Sequence, residues 1–228
     1  MPNFSLKLQE KTQIANQILE LRFTQSADLK FSPGQFVQFC LPTAENKIAV
    51  RSYSLASLPN DPYLEFCVKL IPEGLGSTFF ANLEIGAEAN TRGPFGRFVL
   101  PEKIGSRQFI ATGVGLAPIY PLIKYDLATN QNSYPIHLLF GVRAETDVFW
   151  LDRLDTLVQN YSNFSYTLTL SQPTENWAGE RGRVTAKLNS SMIADKYYIC
   201  GNPEMILETK KILESNEINP KDILTEVF

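Results

Sequence analysis

Three cysteines in 228 residues, Cys40, Cys67 and Cys200, are odd in number and far apart. That spacing argues against a disulfide framework, a cysteine-built metal site and an iron–sulfur cluster. The single histidine, His137, sits inside an apolar strand pattern and reads as a core residue rather than a catalyst. No apolar run reaches the roughly eighteen residues that a membrane-spanning helix needs. The opening segment MPNFSLKLQEK carries charges where a signal peptide needs an apolar centre. Lys and Arg form no block, and the net charge is −3, so nothing marks a phosphate-tracking surface for nucleic acid. These absences point to a soluble cytoplasmic protein without metal, membrane or nucleic-acid partner. What is present, 44% hydrophobic and 20% charged residues, suits one large globular domain or two ordinary ones.

The hydrophobic period changes once along the chain. Up to about residue 100 it reads as short strands, ILELRF (18–23), FVQFCL (36–41) and LEFCVKL (64–70), separated by the turn-rich SPGQ, LPTAENK and LPNDP. Many short strands at this spacing predict a sandwich or an antiparallel barrel. Beyond 101–106, strands at 107–112, 136–142, 166–171, 197–201 and 223–228 alternate with helices at 118–129, 146–161 and 203–216. The helix at 146–161 is expected to present Leu151, Leu154 and Val158 on one face. Repeated βα units predict a doubly wound parallel sheet. The expected organisation is therefore an all-β domain over 1–103 and an α/β domain over 104–228, with no internal repeat.

Three segments carry chemistry. Thr112-Gly113-Val114-Gly115-Leu116-Ala117-Pro118 follows a strand and opens a helix, where Gly113 and Gly115 let the backbone approach a pyrophosphate. An ordinary βα turn explains that segment equally well. Arg51-Ser52-Tyr53-Ser54 combines a phosphate-pairing cation, a ring that can stack and two hydroxyls, against the plainer reading of a strand with one solvated Arg. Glu73-Gly74-Leu75-Gly76-Ser77-Thr78 reads as a loop turning into a helix N-terminus that can hold a second anion. Alternatively, Ser77 or Thr78 is only a helix cap.

Taken together and in order, RSYS (51–54), CVK (67–69), GLGS (74–77), GPFG (93–96), TGVGLAP (112–118), CGNPEM (200–205) and EVF (226–228) resemble the ferredoxin–NAD(P)+ reductase superfamily. That superfamily includes the reductase components of aromatic-ring and phenol oxygenases. The resemblance implies a flavin-binding antiparallel barrel and a nucleotide-binding domain, with FAD and NAD(P)H meeting in the cleft between them. It matches Arg51 to the arginine on the FAD pyrophosphate, Tyr53 to the tyrosine packed on the isoalloxazine, and Ser54 to the serine near N5, with Ser52 between them. It puts Gly74, Gly76, Ser77 and Thr78 at the turn whose amides bind the flavin pyrophosphate, and Cys67, Val68 and Lys69 on the strand beside the flavin tail. Thr112 and Cys200 match residues flanking the nicotinamide, while Val114, Gly201 and Pro203 belong to the nucleotide-binding segments. For Cys200 only proximity is implied, because a buried Cys is usually inert. Glu226 matches a residue that routes protons, and Phe228 a terminal aromatic that covers the flavin face until nicotinamide displaces it. A Phe simply packed in a core is the alternative for Phe228.

The choice of nicotinamide stays open. Gln172 falls where NADP-specific relatives often carry Arg, which leans towards NADH. Arg143 and Arg183 can clamp a 2′-phosphate, which leans the other way. The implied reaction is hydride transfer from NAD(P)H to FAD, with electrons leaving to a separate ferredoxin, flavodoxin or oxygenase component, or to a free flavin or ferric chelate. Two alternatives remain: a reductase using FMN or riboflavin as substrate, and a non-catalytic electron-transfer subunit like that of dihydroorotate dehydrogenase assemblies.

Overall fold

The computed structural model describes residues 3–25, 29–43, 45, 47–188 and 193–227. Two compact units divide the chain, Met1–Val99 and Leu100–Phe228, where the change of period had put the join near residue 104.

The first unit is a six-stranded antiparallel sheet in the order β4-β3-β6-β1-β2-β5. Its strands are β1 (Asn3–Ala15), β2 (Ile18–Thr24), β3 (Phe36–Pro42), β4 (Ile48–Ser54), β5 (Tyr63–Lys69) and β6 (Glu88–Phe95), with helix α1 (Leu75–Asn82) before β6. The two edge strands, β4 and β5, lie alongside one another, so the sheet curls back on itself. Alternation places one face of the strands inside. Leu6 and Leu8 of β1, Leu21 and Phe23 of β2, Val37, Phe39 and Leu41 of β3, and Leu64, Phe66 and Val68 of β5 form one buried cluster with Phe80 of α1.

Strand β5 departs from the expected alternation, because Glu65 and Cys67 are buried on the opposite face as well. Burial of Glu65 is offset by Arg22, whose Nε donates to Glu65 Oε2 at 3.0 Å. The same guanidinium reaches Glu10 at 2.9 Å and Glu20 at 3.2 Å, and stands 4.5 Å over the Tyr63 ring. A carboxylate taken out of water needs such partners.

The second unit is a parallel sheet in the order β10-β9-β8-β7-β11-β12. It comprises β7 (Arg107–Thr112), β8 (Ile136–Val142), β9 (Phe164–Leu170), the short β10 (Glu180–Arg181), β11 (Lys196–Gly201) and β12 (Ile223–Val227), with α2 (Leu116–Ala128), α3 (Leu151–Asn160) and α4 (Pro203–Ser215). One face, carrying Ile110, Leu139, Tyr197 and Ile199, packs on Met205, Ile206 and Leu213 of α4. On the other, Phe109 stacks on Tyr198 and Phe140 meets Phe149 edge-on.

The helix expected over 146–161 is shorter. A 3-10 turn at Glu145–Asp147 comes first, and α3 begins only at Leu151. Trp150 interrupts the helix with φ at 58°, and both Phe149 and Trp150 are buried. The buried face of α3 is Leu154 and Leu157, whereas Val158 is 40% exposed, so the expected stripe is rotated by one residue.

At the start of β7, the buried Arg107 and Asp126 lie 3.6 Å apart. Asn130 and Asn132 donate to the Asp126 carboxylate at 2.9 and 2.8 Å. Arg107 Nη2 donates to the Lys103 carbonyl at 2.7 Å, and Asn132 to the Gly105 carbonyl at 2.8 Å, tying 103–107 into the second unit. No helix among the described residues is long and apolar enough to cross a membrane.

Candidate functional site

In the first unit the Arg51–Ser54 and Gly74–Thr78 segments come together. Tyr53, at the end of β4, is half-buried and packs edge-on against Phe39 and Phe80, with ring centroids 5.7 and 4.9 Å away. A methyl group added at Gly76 would meet the Tyr53 hydroxyl, with Arg51 Cγ 3.9 Å off. Only glycine therefore lets the first turn of α1 come this close to the ring. Burial pushes the Tyr53 phenol up, against the pull of the Arg51 charge.

Neither Ser77 nor Thr78 caps α1. The N-cap is Gly74, with no side-chain cap hydrogen bond, and Ser77 Oγ instead accepts from the Ile71 amide at 2.8 Å. Thr78 is exposed, and its amide makes the bond to the Gly74 carbonyl at 2.8 Å. The amides ahead of it, in the first turn, have no intrahelical acceptor by construction and point out of the helix end. Arg51 and Ser52 are exposed, Ser54 half-buried. On β5, Val68 points into the barrel core, Cys67 is buried and Lys69 is exposed.

The second unit gathers Thr112, Gly115, Cys200 and Gly201. Strand β7 ends at Thr112, the Gly113–Gly115 turn is 3-10, and α2 begins at Leu116, two residues before the expected start at Pro118. A side chain at Gly115 would strike the Cys200 carbonyl, and one at Gly201 the Thr112 hydroxyl. Val114 is half-buried, while a methyl group at Gly113 would meet nothing within 4 Å. Thr112 Oγ1 is buried without a hydrogen-bond partner. Helix α4 opens with Pro203 and is capped by Asn202, whose Oδ1 accepts from the Met205 amide at 2.9 Å. Cys200 is fully buried and is the register partner of Glu226 on β12. Burial, then the Glu226 charge, pushes its thiol well up. Phe228 lies outside the described residues.

Arg143 and Arg183 are both exposed, on loops at the carboxyl ends of the strands. The Gln172 amide donates to the Arg143 carbonyl at 2.8 Å, which brings the β8 and β9 loops together. Two residues here escape sequence reasoning. Glu145 Oε1 accepts from the amide and hydroxyl of Thr174 at 2.9 and 2.6 Å, a pairing across 29 positions that no local spacing signals.

A family profile described as an oxidoreductase FAD-binding domain matches residues 5–100, and one described as an oxidoreductase NAD-binding domain matches 109–211. The ferredoxin–NADP reductase B of Sorangium cellulosum is 30% identical over 217 residues, covering 89% of this chain and 88% of that protein. The chain belongs to the ferredoxin–NAD(P)+ reductase superfamily. A second superfamily member, the 2-halobenzoate 1,2-dioxygenase electron transfer component of Burkholderia cepacia, is 32% identical over 91% of this chain. The chain spans only 63% of that relative's length. Among solved structures, the cytochrome P450 reductase GcoB of Amycolatopsis superposes with a TM-score of 0.89 at 27% identity, covering all of this chain and 70% of that one. A ferredoxin NADP+ reductase from Neisseria gonorrhoeae with bound FAD and NADP has the same fold, with a TM-score of 0.84 at 21% identity, covering 99% and 98% of the two chains.

The residues present fit the two groups that these superfamily domains bind. Gly76 lets the first turn of α1, with its outward amides, sit directly against Tyr53 and near Arg51, an arrangement that suits a flat, phosphate-bearing group. The partnerless hydroxyl of Thr112 suits a polar ligand at the carboxyl end of β7. Among the described residues no group of three or more His, Cys, Asp and Glu side chains could hold a metal ion.

Proposed function

We propose that the chain is an FAD-dependent NAD(P)H oxidoreductase that passes electrons to a separate carrier such as ferredoxin, flavodoxin or an oxygenase component. The observation that carries this reading is the pair of ligand cradles, one in each unit: Arg51 and Tyr53 over Gly76, and Thr112 beside Gly115 and Gly201. Relatives named as electron transfer components of dioxygenases support the choice of acceptor.

When bound, the cofactors supply the redox chemistry itself, hydride transfer from nicotinamide to flavin. The chain's own residues bind and orient. Arg51 and the first-turn amides of α1 are suited to a pyrophosphate, the Tyr53 ring to stacking, and Ser54 to a hydrogen bond at the ring edge. In the second unit the Gly113–Gly115 turn approaches a pyrophosphate at the start of α2, Thr112 Oγ1 offers a hydrogen bond, and Cys200 shapes an apolar wall with its thiol protonated. Glu226 holds or releases a proton near that wall. The strand segment Cys67, Val68 and Lys69 runs alongside the flavin tail. Three free cysteines suit a reducing compartment, and a cytoplasmic location belongs to the same proposal.

Purification followed by anaerobic mixing with NADH or NADPH tests this reading. The expected result is stoichiometric FAD after gel filtration, bleached by at least one nucleotide and reoxidised by an added carrier protein. A colourless chain that turns over free flavin would replace it with the flavin-reductase reading; a yellow chain that no nucleotide bleaches would replace it with the non-catalytic subunit.

A further inference from the structure

Helix α1 carries the first-turn amides suited to a flavin pyrophosphate, yet it runs only from Leu75 to Asn82, about 12 Å of rise. A helix of 8 residues does not persist alone in water, so its direction is set by what holds it. Near its start, Ser77 Oγ accepts from the Ile71 amide at 2.8 Å. In its middle, Phe80 is fully buried, with its ring 5.0 Å from that of Phe39 and 4.9 Å from that of Tyr53. Neither contact reaches the far end, where the last carbonyls of a helix have no intrahelical donor. The last turn of α1 contains no basic residue, and its C-cap, Leu83, has an apolar side chain.

The donor for that end comes from β1, 72 positions away. Lys11 is half-buried, and its Nζ donates to the Leu83 carbonyl at 2.7 Å and to the Ala81 carbonyl at 2.9 Å. The same strand then holds the chain that leaves the helix. The Gly86 amide donates to the Leu8 carbonyl at 2.8 Å, and the Leu8 amide donates to the Ala87 carbonyl at 2.9 Å.

The helix dipole favours a cation at the carbonyl end and an anion at the amide end. In α1 the carbonyl end is served by Lys11 and, on the flavoprotein reading, the amide end by a pyrophosphate. We propose that Lys11 is a positioning residue for FAD. It acts through α1 rather than by contact with the flavin: pinning the carbonyl end of the helix fixes the direction of the amides at the other. The inference rests on the flavoprotein reading given above. An effect carried by α1 scales with the phosphate that the helix holds, whereas damage to the barrel weakens every flavin alike.

Titration of the full chain, stripped of flavin, with FAD, FMN and riboflavin separates the two. Lys11→Met keeps the aliphatic stem and removes the donors. With the apoprotein still folded by circular dichroism, it should weaken FAD by roughly 3–10-fold, the effect of one or two hydrogen bonds at the helix end. FMN should lose less, and riboflavin, which has no phosphate, less than about twofold. Lys11→Arg, which keeps the charge and the donors, should hold FAD within about threefold of the native chain. Unchanged FAD affinity in Lys11→Met, or equal losses for FAD and riboflavin, would overturn the proposal. So would a Lys11→Arg chain as weak for FAD as Lys11→Met. A native chain that takes up none of the three flavins would instead remove the flavoprotein reading, and this inference with it.

Discussion

Cys200 and Glu226 are direct register partners on the parallel strands β11 and β12, and the Glu226 charge adds to burial in holding the Cys200 thiol protonated. A thiol is a nucleophile only as its thiolate. Native protein treated with iodoacetamide near neutral pH should therefore be labelled at the half-exposed Cys40 and spared at Cys67 and Cys200. After denaturation all three should react. Peptide mapping by mass spectrometry reads the outcome, and stoichiometric labelling of Cys200 in the folded chain would contradict the assignment of an apolar wall.

Gly76→Ala should remove flavin retention while leaving the barrel folded. The added methyl collides with the Tyr53 hydroxyl, and the rigid Tyr53 ring, held between Phe39 and Phe80, has little room to withdraw. The expected result is a colourless but folded protein, with flavin affinity lower by at least about tenfold (the effect of roughly 1.4 kcal/mol) and a thermal transition somewhat below that of the native apoprotein, because the collision strains the packing of Tyr53. Full flavin content in the variant would sink the cradle at Gly76.

His137 gives the second unit an acid sensitivity. Burial lowers its pKa, and the neutral ring sits between Gln108 and Thr167, 3.0 and 3.1 Å from Nδ1 and Nε2. The unfolded chain takes up a proton first as pH falls, so the folded state binds fewer protons in that window. The stability contributed by neutral His137 is fully present above its ordinary pKa, near 6.5, and is lost as pH falls towards the lowered folded value. Urea midpoints measured from about pH 7.5 to 5 should fall for the native chain more steeply than for His137→Gln. Equal slopes would refute this contribution.

Asp126→Ala leaves Arg107 buried without its carboxylate and removes the acceptor of Asn130 and Asn132. Breaking one side of a buried pair typically costs about 3–5 kcal/mol. Urea denaturation should show a loss of that order, and a loss below about 1 kcal/mol would mean that water or rearrangement satisfies Arg107.

Both fold classes, and the alternation of the main strands and helices in the second unit, were legible in the sequence, because periods of 2 and 3.6 report which face of each element is buried. Strands 107–112 and 136–142 have the bounds expected from their apolar runs, which are flanked by polar turns. Helix α3 was less legible. The expectation began the helix at residue 146, although its apolar face, Leu151, Leu154 and Val158, starts later. The aromatic pair Phe149–Trp150 is instead buried in a non-helical turn, with Phe149 packed against Phe140. Strand β1 drew no attention, since its long polar stretches conceal Leu6 and Leu8, which point into the barrel.

The same division holds for the candidate site. Motif identity and order along the chain pointed to the superfamily, because each motif is local and a backbone turn leaves its mark in adjacent residues. Close approach between distant segments leaves no such mark. That Gly76 exists to clear Tyr53, that Gly201 clears the Thr112 hydroxyl, and that Glu145 is fixed by Thr174 depend on strands and loops meeting across the sheet. Side-chain chemistry came from the sequence, and its spatial company from the tertiary structure, because register and packing, rather than spacing along the chain, decide which groups share a few ångströms.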